Sequence, residues 1–160
     1  MSTSISTAFT GVRSSGALRT VRDLVLLVAR VGLGVLMIGH AWLMFAFGGY
    51  SLTGVGQLFA QIGVPLPALA GAANLLLESA GWVAMIVGLA VPVVGVLMAL
   101  NMVGAWVLVH TSGLYAMDQN GPETVIAIGL LSLVLAVTGS GRLGLDHLVL
   151  QRWRSRTAAA

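Results

Sequence analysis

Leu24-Val-Leu-Leu-Val-Ala-Arg30-Val-Gly-Leu-Gly-Val-Leu-Met-Ile-Gly-His40-Ala-Trp-Leu-Met-Phe-Ala-Phe47 carries one ionised side chain, Arg30, in an otherwise apolar run. A helix needs about 20 such residues to cross about 30 Å of hydrocarbon, so the stretch reads as a membrane span. It is too long for the apolar core of a signal peptide and reads as a retained first span. An ionised group at this depth costs roughly 2.5–3.5 kcal/mol on insertion scales, so Arg30 should face protein and meet a compensating group. Glu78, inside a second apolar stretch, has the opposite charge.

The rest of the chain extends this reading. Its 160 residues are 58% hydrophobic and 8% charged, with a mean hydropathy of +0.98. That composition specifies an all-α integral membrane protein, expected as a four-helix bundle in up-down-up-down order with a short amphipathic segment between spans one and two. The length leaves no room for a soluble catalytic domain. With no cysteine, disulfides, thiol exchange, iron–sulfur ligation and cysteine–zinc sites are excluded, and no metal site is read from the remaining residues. Any redox chemistry needs a borrowed cofactor. The net charge of +3 rests on arginine alone; its clustering at the two ends reads as a topology signal, not as nucleic-acid binding.

Prolines punctuate the helices, because proline in a first helical turn gives up an N–H that has no partner there. Pro65 and Pro67 open span two, Pro92 opens span three and Pro122 opens span four, where Glu123 suits the positive end of the helix dipole. The spans fall at about 24–47, 67–89, 92–110 and 122–139. Residues 1–22 read as a flexible tail, 23–148 as the membrane domain and 149–160 as a basic tail. The connection between spans two and three is so short that they should be antiparallel neighbours. In the segment 51–63, Leu52, Val55, Phe59 and Ile62 recur at spacings of three and four, the pattern of an amphipathic helix lying over the bundle.

Depth, counted at about 1.5 Å per residue, groups the polar side chains. Arg30 and Glu78 are offset by roughly 6 Å, within reach of an extended arginine, and Asn101 falls between them. The three are expected as a buried polar cluster. Nearer the opposite surface, His40, Asn74, Trp106 and His110 come from three spans at similar depth and are expected to converge on a cavity beneath 51–63. Asn74, Glu78 and Trp82 are four apart and share one face of span two. Gly32, Gly34, Gly71, Gly81, Gly88, Gly95 and Gly104 read as close-approach positions between helices. The methionines read as packing, and Asp118 and Glu123 as solvated loop acids.

The runs 30–40 and 59–67, Glu78, His110, and Gly139-Ser-Gly-Arg-Leu-Gly-Leu-Asp146 together resemble the DoxX family, over about residues 22–148. The resemblance implies four spans and a membrane subunit of an oxidoreductase system. Such systems include thiosulfate:quinone oxidoreductase and, in mycobacteria, a membrane complex with a superoxide dismutase and a sulfurtransferase. The positions that match are Arg30, His40, Glu78 and His110. One departure is the sequence Ala41-Trp-Leu-Met44, where the family carries a lysine after the histidine; a site relying on that cation would be weakened here.

Two functions follow. In the first, membrane quinone is the cofactor: Glu78 relays protons, Arg30 holds its charge, and His40, Asn74, Trp106 and His110 line the ring site. A haem between His40 and His110 is disfavoured, two interfacial histidines being a weak signal. In the second, the chain is a noncatalytic scaffold or accessory subunit that docks or stabilises a partner protein complex in the bilayer.

Arginines 13, 19, 22, 142, 152, 154 and 156 flank the first and last spans, and the two outer loops contain no basic residue. By the positive-inside rule both termini are cytoplasmic, in a bacterial-type inner membrane. A C-terminal fluorescent-protein fusion should therefore fluoresce, and a C-terminal alkaline phosphatase fusion should be inactive; the reverse pattern rejects this topology.

Overall fold

The computed structural model describes residues 16–47, 51–111, 113–114 and 121–157. Every regular element among them is helical: α1 (Gly16–Phe47), α2 (Leu52–Gln61), α3 (Pro67–Leu76), a π-turn (Leu77–Gly81), α4 (Trp82–Val87), α5 (Val91–Leu108), α6 (Glu123–Thr138) and α7 (Leu145–Thr157). α3, the π-turn and α4 join into one apolar span, Pro67–Val87, and with α1 and α5 make three helices long and apolar enough to cross a membrane. α6 is a shorter apolar helix of 16 residues, about 24 Å long. The prolines stand as expected, Pro67 first in α3, Pro92 second in α5 and Pro122 at the N-cap of α6.

Both expected tails are partly helical. α1 begins at Gly16, with Thr20 Oγ1 donating to Gly16 O at 3.1 Å. Residues 16–22 carry good helix formers that a composition average over 1–22 obscures. Residues 149–157 likewise continue α7, whose first turn holds Asp146 where the dipole favours an acid. Asp118 and residues 1–15 and 158–160 lie outside the described residues.

The tightest pairings are α5 with α6, α2 with α3, and α1 with α4, while α4 and α5 touch more lightly across their short link. Small residues set the close approaches. A Cβ on Gly95 would lie 2.6 Å from Ser132 O, one on Gly71 3.2 Å from Gly56 Cα, and one on Gly34 would strike Ile86. Gly32 and Gly104, expected in the same role, have nothing within 4 Å. Trp82, Met85 and Met98 are fully buried, with Leu33, Met37, Met102 and Leu135 around them. The thioethers fill the irregular space beside the indole, as packing residues do. Val28, Leu36, Leu100 and Val137 remain exposed, an outer surface suited to lipid.

Arg30 is fully buried, and it is not paired with Glu78. Its Nη1 donates to Met85 O at 3.4 Å and Ile86 O at 3.3 Å, and Nη2 donates to Leu143 O at 3.4 Å. The reason lies at Gly88. There the chain ends α4 in the left-handed conformation, φ 75°, with Gly88 N–H on Met85 O and Leu89 N–H on Ala84 O, a Schellman close. Helix C-terminal carbonyls carry spare lone pairs and partial negative charge. Arg30 reaches along its own helix to them, as a long cationic side chain does.

Asp146 completes this end. Its two oxygens accept from Ala90 N–H at 2.6 Å and Val91 N–H at 2.9 Å, and its own N–H donates to Gly88 O at 2.9 Å. Its charge acts on Arg30 as well. One turn of chain therefore joins α1, α4, α5 and α7.

A Cβ on Gly88 would collide with Arg30 Nη1 and come within 2.6 Å of Gly144 Cα. Gly88→Ala should then lower stability by about 2–4 kcal/mol, from the positive φ and the overlap together. Gly32→Ala, into open space, should be within about 0.5 kcal/mol of the parent. Unfolding of both variants in mixed detergent micelles provides the comparison.

Candidate functional site

Glu78 lies in the π-turn, half-buried. A π-turn inserts an extra residue into the helical period, and such turns recur at functional sites. Here it separates residues that an α-helical count puts on one face. Trp82 turns wholly into the core, whereas Glu78 and Asn74 stay half-exposed. Ser79 Oγ donates back to Leu75 O at 2.7 Å. A Cβ on Gly81 would meet Met98 Cε, so the turn and α5 lie close together at this glycine.

Across this contact Asn101 Nδ2 donates to Glu78 Oε1 at 3.2 Å. Of the three side chains expected to cluster, two meet and Arg30 does not join them. Glu78 Oε2 and the Asn74 amide have no hydrogen-bond partner among the described residues. A carboxyl oxygen and an amide four residues apart, half-exposed at membrane depth, can present both a donor and an acceptor to a ligand or a neighbouring helix.

The expected outer group is placed differently. His40 is exposed on α1, and Trp106 is 43% exposed on α5. His110 Nδ1 lies 3.1 Å from Ala105 O, at the end of its own helix. No hydrogen bond links His40, Asn74, Trp106 and His110 to one another among the described residues. α2 packs against α3, with Val55 fully buried and Gly56 on Ala68. Depth alone grouped these four; their angular positions, set in part by the π-turn, do not follow from it.

Residues that the sequence reading had not assigned gather at the opposite end. Asp23 is buried and accepts from Arg142 N–H at 3.3 Å. Arg22 Nη2 and Arg142 Nε lie 3.5 Å and 3.9 Å from its oxygens. A signal for this end was present: a glycine before a helix-opening proline, Gly88 and Pro92, together with an acid just after Gly144.

The DoxX family profile matches residues 25–111, more than half of the chain. The chain belongs to the DoxX family. The matched region contains Arg30, Glu78 and Asn101 and ends before α6, so Asp146 and the loop before it lie outside. No curated protein and no solved structure matches the chain.

Glu78→Leu and Asn101→Leu should be coupled by about 0.5–1.5 kcal/mol in a double-mutant cycle on unfolding. Arg30→Met and Glu78→Leu, which share no partner, should add to within about 0.5 kcal/mol. The opposite ranking would show that Arg30 and Glu78 do interact.

Proposed function

We propose that this DoxX family member is the membrane subunit of an oxidoreductase system and meets membrane quinone at Glu78, Asn74 and Asn101. The observation supporting this reading is that Glu78 Oε2 and the nearby Asn74 amide, both half-exposed on an apolar span, have no hydrogen-bond partner among the described residues. Polar groups in hydrocarbon need a partner, and a quinone offers carbonyl oxygens on an apolar ring. Reduction of a quinone to the quinol takes up two electrons and two protons. Glu78 would pass one proton to the nearer carbonyl oxygen, the other oxygen would take the second proton from the aqueous medium, and the Asn74 or Asn101 amide would hold the ring by donating a hydrogen bond to that other oxygen. No side chain of this chain carries electrons, so the electron donor belongs to a partner protein. In this reading the spans run up-down-up-down in an inner membrane with both termini in the cytoplasm.

A second reading, an accessory subunit that holds a partner in the bilayer, draws on two other observations. The fully buried cation Arg30 contacts backbone carbonyls, which is a structural role. Gly32, Gly39 and Gly104 on the spans have open space beside them, where a partner helix could approach closely.

Purification in mild detergent, followed by lipid extraction and identification of co-purifying proteins, separates the two. Co-purified quinone that falls by about tenfold or more in Glu78→Gln, with quinone-coupled turnover of the assembled complex lowered by about 10²-fold, is the expected result. A stoichiometric protein partner without quinone, unaffected by Glu78→Gln, would establish the accessory role instead.

A further inference from the structure

At the arginine-bearing end a recess of about 550 Å³ opens beside α7; Arg22, Pro92, Arg142, His147, Val149 and Leu150 are among its walls. A second recess of about 360 Å³, with Thr20 and Leu24 in its wall, shares Arg142 and His147 with the first. We propose that the larger recess binds the phosphate of an anionic phospholipid headgroup between Arg22 and Arg142.

The charges facing the recess favour an anion. Asp146 also lines it, but both its oxygens are directed at Ala90 and Val91 N–H. Asp23 is buried, and its Oδ1 accepts from Arg142 N–H. Asp146 is thus committed to backbone amides, and Asp23, buried beside the two arginines, offsets one of their two charges. The two guanidiniums touch Asp23 through single long contacts, 3.5 Å and 3.9 Å, while their side chains are 65% and 61% exposed. Each has five N–H donors in a fork that suits phosphate oxygens. His147 Nε2 lies 2.8 Å from Gln151 Nε2 and accepts from that amide, which leaves Nδ1–H as a further donor.

Free phosphate would share this chemistry, but the surroundings select a lipid. Pro92, Val149 and Leu150 form an apolar wall next to the arginines, at the end where spans α1 and α6 meet the headgroup region. Leu145, Leu148 and Val149, at spacings of three and four, are exposed on α7. Acyl chains entering past Val149 and Leu150 would place the phosphate at Arg22 and Arg142. This site is independent of the quinone reading and stands or falls separately.

The test uses the full-length protein in mild detergent, with native mass spectrometry and thermal unfolding against phosphatidylglycerol, phosphatidylcholine and inorganic phosphate. Phosphatidylglycerol should bind and raise the unfolding temperature, and phosphatidylcholine and inorganic phosphate should do neither. Arg22→Gln with Arg142→Gln should weaken phosphatidylglycerol by about tenfold or more. Arg19→Gln, outside the recess, should leave it unchanged. The single substitutions, each expected to give part of the loss, carry the test if the double variant does not fold. Equal binding of phosphatidylcholine, equal stabilisation by inorganic phosphate, or phosphatidylglycerol binding untouched by the substitutions overturns the proposal.

Discussion

A guanidinium with no exposed surface, held inside an apolar span, is the constraint around which this fold is arranged. Removing a charge from water is tolerable only where oriented dipoles or an opposite charge replace the lost hydration. The chain supplies both at one place. The α4 terminus provides carbonyls through Gly88, the loop before α7 provides Leu143 O, and Asp146 provides the negative charge. Each of these is also required elsewhere. Asp146 caps the start of α5, and Gly88 O takes the N–H of Asp146. Losing Arg30 would remove the donor to Ile86 O and Leu143 O at the meeting point of several helices, at about 1–3 kcal/mol for each that water cannot reach, while Met85 O keeps the Gly88 N–H.

The π-turn has the opposite character. Where Gly88 and Arg30 bind elements together, the extra residue between Leu77 and Gly81 loosens the helical register. Trp82 lies in the core, and Glu78 has one oxygen on Asn101 and the other without a hydrogen-bond partner among the described residues. The same span is thus fixed at its α4 end and presents a polar group near its middle. The turn is packed against α5 at the buried Gly81, beside Met98.

Much of the architecture was legible because membrane helices obey few rules. Apolar length located the spans, and prolines 67, 92 and 122 located their starts to within a residue or two. The polar pairings were legible only in part. Depth can be counted along a chain, so Glu78 and Asn101 were placed together correctly. Counting side chains alone misses backbone acceptors, so Arg30 was assigned to the nearest carboxylate instead of the carbonyls at Gly88. Angular position depends on an uninterrupted 3.6-residue period, and the π-turn breaks it between Asn74 and Trp82. The helical start of α1 was not legible for another reason, since composition averaged over 1–22 hides the good helix formers of 16–22.

The separation of Arg30 from Glu78 matters for what the membrane half of the chain can do. A carboxylate gripped by a guanidinium commits its oxygens and its orientation to that contact, as bidentate pairs do. Because backbone dipoles and Asp146 answer the buried cation, Glu78 remains bonded through a single oxygen to a neutral amide on the next helix. An amide can both donate and accept, so a ligand or partner group can exchange with it at little cost in unpaired polar atoms. The fold thereby keeps its buried charge for structure and leaves its weaker polar pair available on two apolar spans.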